Sequence, residues 1–147
     1  MVKDPTLLSI SEASILIEAR EISPVDLVEL QLAKIEQTDG KLNAFITVIQ
    51  EQARKAAKEA EMEIRAGKYR GPLHGIPIGI KDIIDTKGIL TTIGSKIFRS
   101  NIPYQDATVV EQLIKAGAIL IGKTNTHEFA LGVTTNNEYF GPTRNPW

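Results

Sequence analysis

Gly75-Ile76-Pro77-Ile78-Gly79-Ile80-Lys81-Asp82-Ile83-Ile84 puts isoleucine at alternate positions, then places a lysine at the end of the run. The spacing predicts a β-strand over Ile76–Ile84. On strict alternation Ile76, Ile78 and Ile80 share one face, while Pro77, Gly79 and Lys81 share the other. Lys81 therefore sits beside the least bulky side chain of its face, which is expected to leave room for substrate or backbone beside the ammonium. Two structural roles compete with a catalytic one: an edge-strand lysine that blocks aggregation, or a lysine paired with Asp82. On this register Asp82 points to the opposite face and need not hold the proton. A lysine base must be neutral. Moving its pKa from about 10.4 to about 7 costs roughly 4–5 kcal/mol, supplied by burial or a cationic neighbour. An apolar strand is the expected place for that burial.

Outward from this strand the pattern alternates. Ile89–Ile93 is predicted as a second strand. Asp106-Ala107-Thr108 starts a helix carrying Val109, Val110, Leu113 and Ile114, closed by Gly117. Ala118-Ile119-Leu120-Ile121 then reads as a strand buried on both faces, and Asn125-Thr126-His127-Glu128 as the cap of a short helix. From Gly132 the chain is polar and turn-rich. Its ending on Asn145-Pro146-Trp147 predicts a continuation, because a domain rarely closes on an aromatic after an irregular stretch.

Upstream the chain reads as helix. Ser9-Ile10-Ser11-Glu12 is a capping box. Ser23-Pro24 opens a second helix with the apolar stripe Leu27, Val28, Leu30, Leu32 and Ile35, expected to end at Asp39-Gly40. Phe45–Val48 fits a short strand or the start of a helix. Gln50–Ala66 is a helix with Ala53, Ala56, Ala57, Ala60 and Ile64 on one face and a Glu51/Lys55 pair on another. Gly67 fits the left-handed position beyond its end. The expected fold is one α/β domain over 1–147. Residues 1–70 are mainly helical, and 71–147 form a strand-helix-strand part of a mixed sheet layered with helices.

Gly117-Ala118-Ile119-Leu120-Ile121-Gly122-Lys123-Thr124 matches the phosphate-loop pattern G-x-x-x-x-G-K-[ST]. Its context does not. A phosphate loop follows a strand and wraps small residues around the anion, whereas this segment follows a helix and is itself strand-like. It is read as a helix-closing glycine and a buried strand.

Composition narrows the function classes. Lys+Arg number 17 against Asp+Glu 18 in 147 residues, a net charge of −1, which gives no general attraction to nucleic acid or anionic membranes. No apolar run reaches the roughly 18–20 residues of a membrane span. Met1-Val2-Lys3-Asp4-Pro5 carries no secretion signal, so the expected location is cytoplasmic. The absence of cysteine excludes disulfides and thiol chemistry within these residues. With only His74 and His127, neither a metal centre nor a cofactor is expected. His127 is read as a surface residue, and His74 as a loop residue without a role. Twenty isoleucines with no cysteine lean toward a thermophilic source.

The segment Gly71-Pro72-Leu73-His74-Gly75-Ile76-Pro77-Ile78-Gly79-Ile80-Lys81-Asp82 resembles the lysine-bearing segment of the amidase signature family. The resemblance continues through Thr91-Thr92-Ile93-Gly94-Ser95, Asp106–Val110, Ala116–Asn125 and Phe140–Trp147. It implies an incomplete amidase-signature fold and a Ser–cis-Ser–Lys triad, with Lys81 deprotonating the bridging serine. The family places that serine in a Gly-Gly-Ser-Ser-Gly-Gly-Ser type stretch after the Asn-Pro-Trp segment. Ser95 and Ser100 match neither triad serine, so residues 1–147 are expected to be inactive alone. Completed, they would take a small-molecule amide. The stretch Thr126–Glu138 looks more like a general amidase than the A component of a tRNA-dependent amidotransferase. The alternative is a non-catalytic module that pairs with itself or a partner through an open sheet edge.

Overall fold

The computed structural model describes residues 4–147; Met1-Val2-Lys3, part of the stretch read as lacking a secretion signal, lie outside them. A 3-10 turn, Pro5–Leu7, precedes α1 (Ile10–Glu18), α2 (Pro24–Leu42), β1 (Phe45–Val48), α3 (Gln50–Arg65), β2 (Pro77–Lys81), α4 (Thr108–Lys115) and β3 (Ile119–Thr124). The strands form one sheet in the order β1-β3-β2. β1 runs antiparallel to β3, pairing Phe45 with Thr124 and Val48 with Gly122 across an irregularity. β2 advances alongside β3: Gly75 N–H donates to Gly117 O, Ile119 N–H to Ile76 O and Asp82 N–H to Thr124 O. Partners that climb together mark a parallel pair, with α4 in the crossover.

Local chemistry accounts for the helices. Ser9 and Glu12 form the complete capping box on α1. Ser9→Ala is expected to cost about 1 kcal/mol, read from the urea midpoint, and an unchanged midpoint would deny the cap its role. In α3, Ala53, Ala57, Ala60 and Ile64 are buried, and Gly67 takes φ +76° beyond its end. The charge pairing on α3 differs from the expected one: Glu51 meets Arg54 at 3.0 Å, and Lys55 faces Glu59 at 4.0 Å.

Three boundaries move. α2 does not stop at Asp39-Gly40. It runs to Leu42, and the Asp39 carboxylate instead accepts from Ala44 N–H at 2.7 Å, while Asn43 takes the left-handed turn at φ +54°. β2 ends at Lys81, because Asp82 turns inward and its backbone joins a turn. Ile89–Ile93 is not a strand. Its N–H groups go to turn and loop acceptors instead of a neighbouring strand, with Ile89 on Thr86 O, Thr91 on Asn101 O and Ile93 on Asp82 O. Ile93 also sits at φ +57°, which no strand residue adopts. The helix expected after Asn125 is only a 3-10 turn, Glu128–Ala130, interrupted by Phe129 at φ +54°.

Two compact units emerge. The first takes the described residues up to Glu36, with Ile49–Ile78 and Gln112–Ile121; the second takes Gln37–Val48, Gly79–Glu111 and Gly122–Trp147. The core of the first is built by Ala13, Ile17, Leu27, Ile64 and Ile76, with Ile22, Tyr69 and Ile78 packed against it. The second depends more on polar anchors. Buried Asn137 donates to Gly94 O and Thr126 O and accepts from Tyr139 and Phe140 N–H, so its side chain is satisfied in place. Among the described residues no helix is long and apolar enough to cross a membrane.

Candidate active site

β2 presents Ile80 to the interior and Lys81 to solvent. Gly79, on the Lys81 face, does not open the expected space. A Cβ there would lie 2.9 Å from Thr124 Cγ2 and 3.4 Å from Phe45 Cε1, so the chain's own side chains use that room. Gly122 is needed for the same reason, since its Cβ would lie 2.5 Å from Thr47 O and 2.8 Å from the Phe45 ring. Beside Lys81, the exposed Gly79 lies against Thr124 and the Phe45 ring, while Gly122 is buried against the same ring. The burial expected for a lysine base is absent too: among residues 4–147 Lys81 is exposed.

Asp82 is where the alternation predicts it, on the inner side. It is fully buried, and its Oδ2 accepts from Thr92 N–H at 2.9 Å and from the Thr92 hydroxyl. Its charge faces Lys123, not Lys81, with Lys123 Nζ 3.9 Å from Oδ1. The reading of Lys81 as half of an ion pair with Asp82 is therefore excluded.

Lys123 is the residue that reading the segment as a phosphate-loop look-alike concealed. It is 1% exposed, and Nζ donates to Ile84 O at 2.6 Å, Thr91 Oγ1 at 2.7 Å and Thr86 Oγ1 at 3.1 Å. Burial holds its pKa below the ordinary lysine range, against the pull of Asp82, Asp85 and Asp106. A signal for it was present. Ile119, Ile121 and Lys123 alternate onto one face of β3, so a buried Ile121 predicts a buried lysine. Gly117 closes α4 at φ +89° and β3 follows, so the segment has no phosphate-loop geometry.

His74 is buried and holds the turn that leads into β2. Its Nδ1 accepts from Arg70 N–H at 3.1 Å, which puts the proton on Nε2, 3.2 Å from Glu63 Oε2. Burial, then Arg70, keeps His74 below its ordinary value of 6.5, and Glu63 opposes. Glu63 is itself held low, chiefly by its hydrogen bond with Arg70. Both shifts have the same consequence. An unfolded chain takes up protons that the folded one refuses, so stability is full above about pH 6.5 and falls as the pH drops below it. The urea midpoint is expected to be lower at pH 5.5 than at pH 7.5, and a His74→Gln variant should flatten that slope. Equal midpoints in the parent chain would contradict the assignment. His127, read as a surface residue, is half-buried, its Nδ1 3.2 Å from Thr134 O, and Gly132 fits only because it has no Cβ to meet the ring.

The family model described as Amidase matches residues 26–147. The chain belongs to the amidase family. Its curated relatives include the A component of the glutamyl-tRNA(Gln) amidotransferase of Anaeromyxobacter dehalogenans, 45% identical over 145 residues, which are 99% of this chain and 30% of that protein. Among solved structures, an amidase is 39% identical with a TM-score of 0.85, covering 94% of this chain and 31% of the other. The peptide amidase of Stenotrophomonas maltophilia is 32% identical with a TM-score of 0.87, at 95% and 30% coverage. This amidase-family chain thus spans about 30% of the length of the proteins it matches, and it carries the α/β architecture of that part of their fold. The family holds, but the lean toward a general amidase drawn from Thr126–Glu138 runs against the amidotransferase name of the relatives at 45–49% identity, while the solved amidases stand at 32–39%.

Proposed function

We propose that these residues are the lysine-bearing part of an amide-hydrolysing Ser–cis-Ser–Lys enzyme, with Lys81 as the base. The observation that carries this reading is an exposed lysine at the end of β2, whose neighbouring carboxylate is turned inward toward Lys123. Lys81 takes the proton of the bridging serine, which takes that of the nucleophilic serine as its oxygen attacks the amide carbon. The C–N bond breaks, the proton returns to the leaving nitrogen, and ammonia or an amine departs. Water then cleaves the acyl-serine ester, giving the carboxylic acid and restoring the hydroxyl. A small-molecule amide is the substrate class, and the location is cytoplasmic. The exposure of Lys81 fits the proposal that residues 1–147 do not hydrolyse amides alone, since a neutral lysine needs the cover a serine-bearing segment would supply.

The test is to join residues 1–147 to the serine-bearing remainder of an amidase relative and assay ammonia release from simple carboxamides. Hydrolysis by the joined chain, and none by residues 1–147, is the expected result. Equal activity from residues 1–147 would defeat the reading.

A second reading, self-association through a sheet edge, has one observation behind it: β1 and β2 are both edge strands. Pro77 and Lys81 on β2 count against it, as they blunt an edge. Size-exclusion chromatography separates the two, with a monomer expected and a stable dimer favouring edge pairing.

A further inference from the structure

We propose that Lys123 is a positioning residue for the Lys81 strand end, acting through Asp82 and the loop that follows it. The proposal rests on the reading of Lys81 as the base. Each acceptor of the Lys123 ammonium lies on the chain just beyond Lys81: Ile84 O, Thr86 Oγ1 and Thr91 Oγ1. The hydroxyls are arranged to accept. Thr86 Oγ1 donates its own proton to Ile84 O at 3.1 Å and Thr91 Oγ1 to Ile89 O at 3.2 Å, leaving lone pairs for the ammonium.

Asp82 is fixed at four points. Its N–H donates to Thr124 O, its carbonyl accepts from Ile93 N–H, and its Oδ2 accepts from both Thr92 donors. Its other oxygen, Oδ1, is buried with no hydrogen bond of its own and looks toward Lys123 at 3.9 Å. The peptide joining Lys81 to Asp82 is thereby held from both sides of the turn. Filling this volume did not require a charge, since an apolar side chain packs at lower desolvation cost than an ammonium. What the ammonium adds is direction: it gathers three oxygens and one carboxylate into a single arrangement of the 82–92 loop. At 1% exposure it does not meet substrate, so its influence passes through Asp82.

Two measurements test this. In residues 1–147, Lys123→Met is expected to speed amide exchange at Asp82, Thr92 and Ile93 by about tenfold or more, while Ala53 and Ala57 in α3 keep their rates. Should that variant unfold, Thr91→Val removes one acceptor only and must speed the same amides to a smaller degree. Lys123→Met combined with Asp82→Asn should restore part of the protection, because no buried carboxylate is then left unpaired. In the joined chain, with kcat referred to the folded fraction, Lys123→Met is expected to lower kcat about tenfold with KM within about twofold and to move the pH profile of kcat, which loss of folded protein would leave in place. Unchanged exchange at Asp82, Thr92 and Ile93 overturns the proposal, as does an unchanged kcat in a joined chain that Lys81→Ala inactivates. If Lys81→Ala leaves activity intact, the reading of Lys81 fails, whereas the exchange rates still decide whether Lys123 holds Asp82.

Discussion

Lys81→Ala in the joined chain is expected to lower kcat for amide hydrolysis by roughly 1,000-fold or more, with the fold unchanged. The size follows from the role. Without a base, the bridging serine must give its proton to water as it takes that of the nucleophile, and the remaining groups supply only binding and orientation. The fold should survive because Lys81 is exposed and packs in neither core. Lys96→Ala is a fitting control, since that lysine is also exposed and lies outside the strand. Loss of activity in both variants, or in neither, would remove Lys81 from the chemistry.

Gly117→Ala is expected to carry the largest effect on stability, about 2–4 kcal/mol from two separate sources. An L-residue at φ +89° is strained by about 1 kcal/mol or more. The added methyl would also lie 2.5 Å from His74 Cδ2 and 3.0 Å from His74 Cα, and overpacking of this kind costs about 1–3 kcal/mol. The buried ring has no room to retreat, since Arg70 N–H and Glu63 hold its two nitrogens and Tyr69 stacks on it at 5.9 Å. Gly67→Ala separates the sources. Gly67 has φ +76° and nothing within 4 Å, so it should lose only the conformational part, about 1 kcal/mol. Equal losses in the two variants, read from urea unfolding, would show that contact with His74 contributes nothing.

Local signals carried most of the fold. Ser9 with Glu12 marks the start of α1, Gly67 and Gly117 mark helix ends, and the apolar run ending at Ile121 marks a buried strand, because each depends on residues within one turn of itself. The failures share a cause. Ile89–Ile93 has strand-forming side chains, but its N–H groups are claimed by Asp82 and Asn101, which no window of neighbouring residues contains. Gly40 looked like a helix stop, yet the stop is Asn43, made possible by the Asp39 carboxylate reaching Ala44. In the site, alternation correctly separated Lys81 from Asp82. It did not show that Gly79 makes room for Thr124 and Phe45, which come from other strands. Lys123 was open to the same alternation argument and was hidden by its place in a familiar nucleotide-binding pattern.

If Lys81 takes the proton of the bridging serine, the two groups must be in contact. The most direct test is the crystal structure of the joined chain, read for the distance from Lys81 Nζ to the bridging serine Oγ. A hydrogen bond of about 2.6–3.2 Å is expected, with Lys81 covered by the serine-bearing segment. A bridging serine beyond reach of Lys81, with another group in its place, would contradict it.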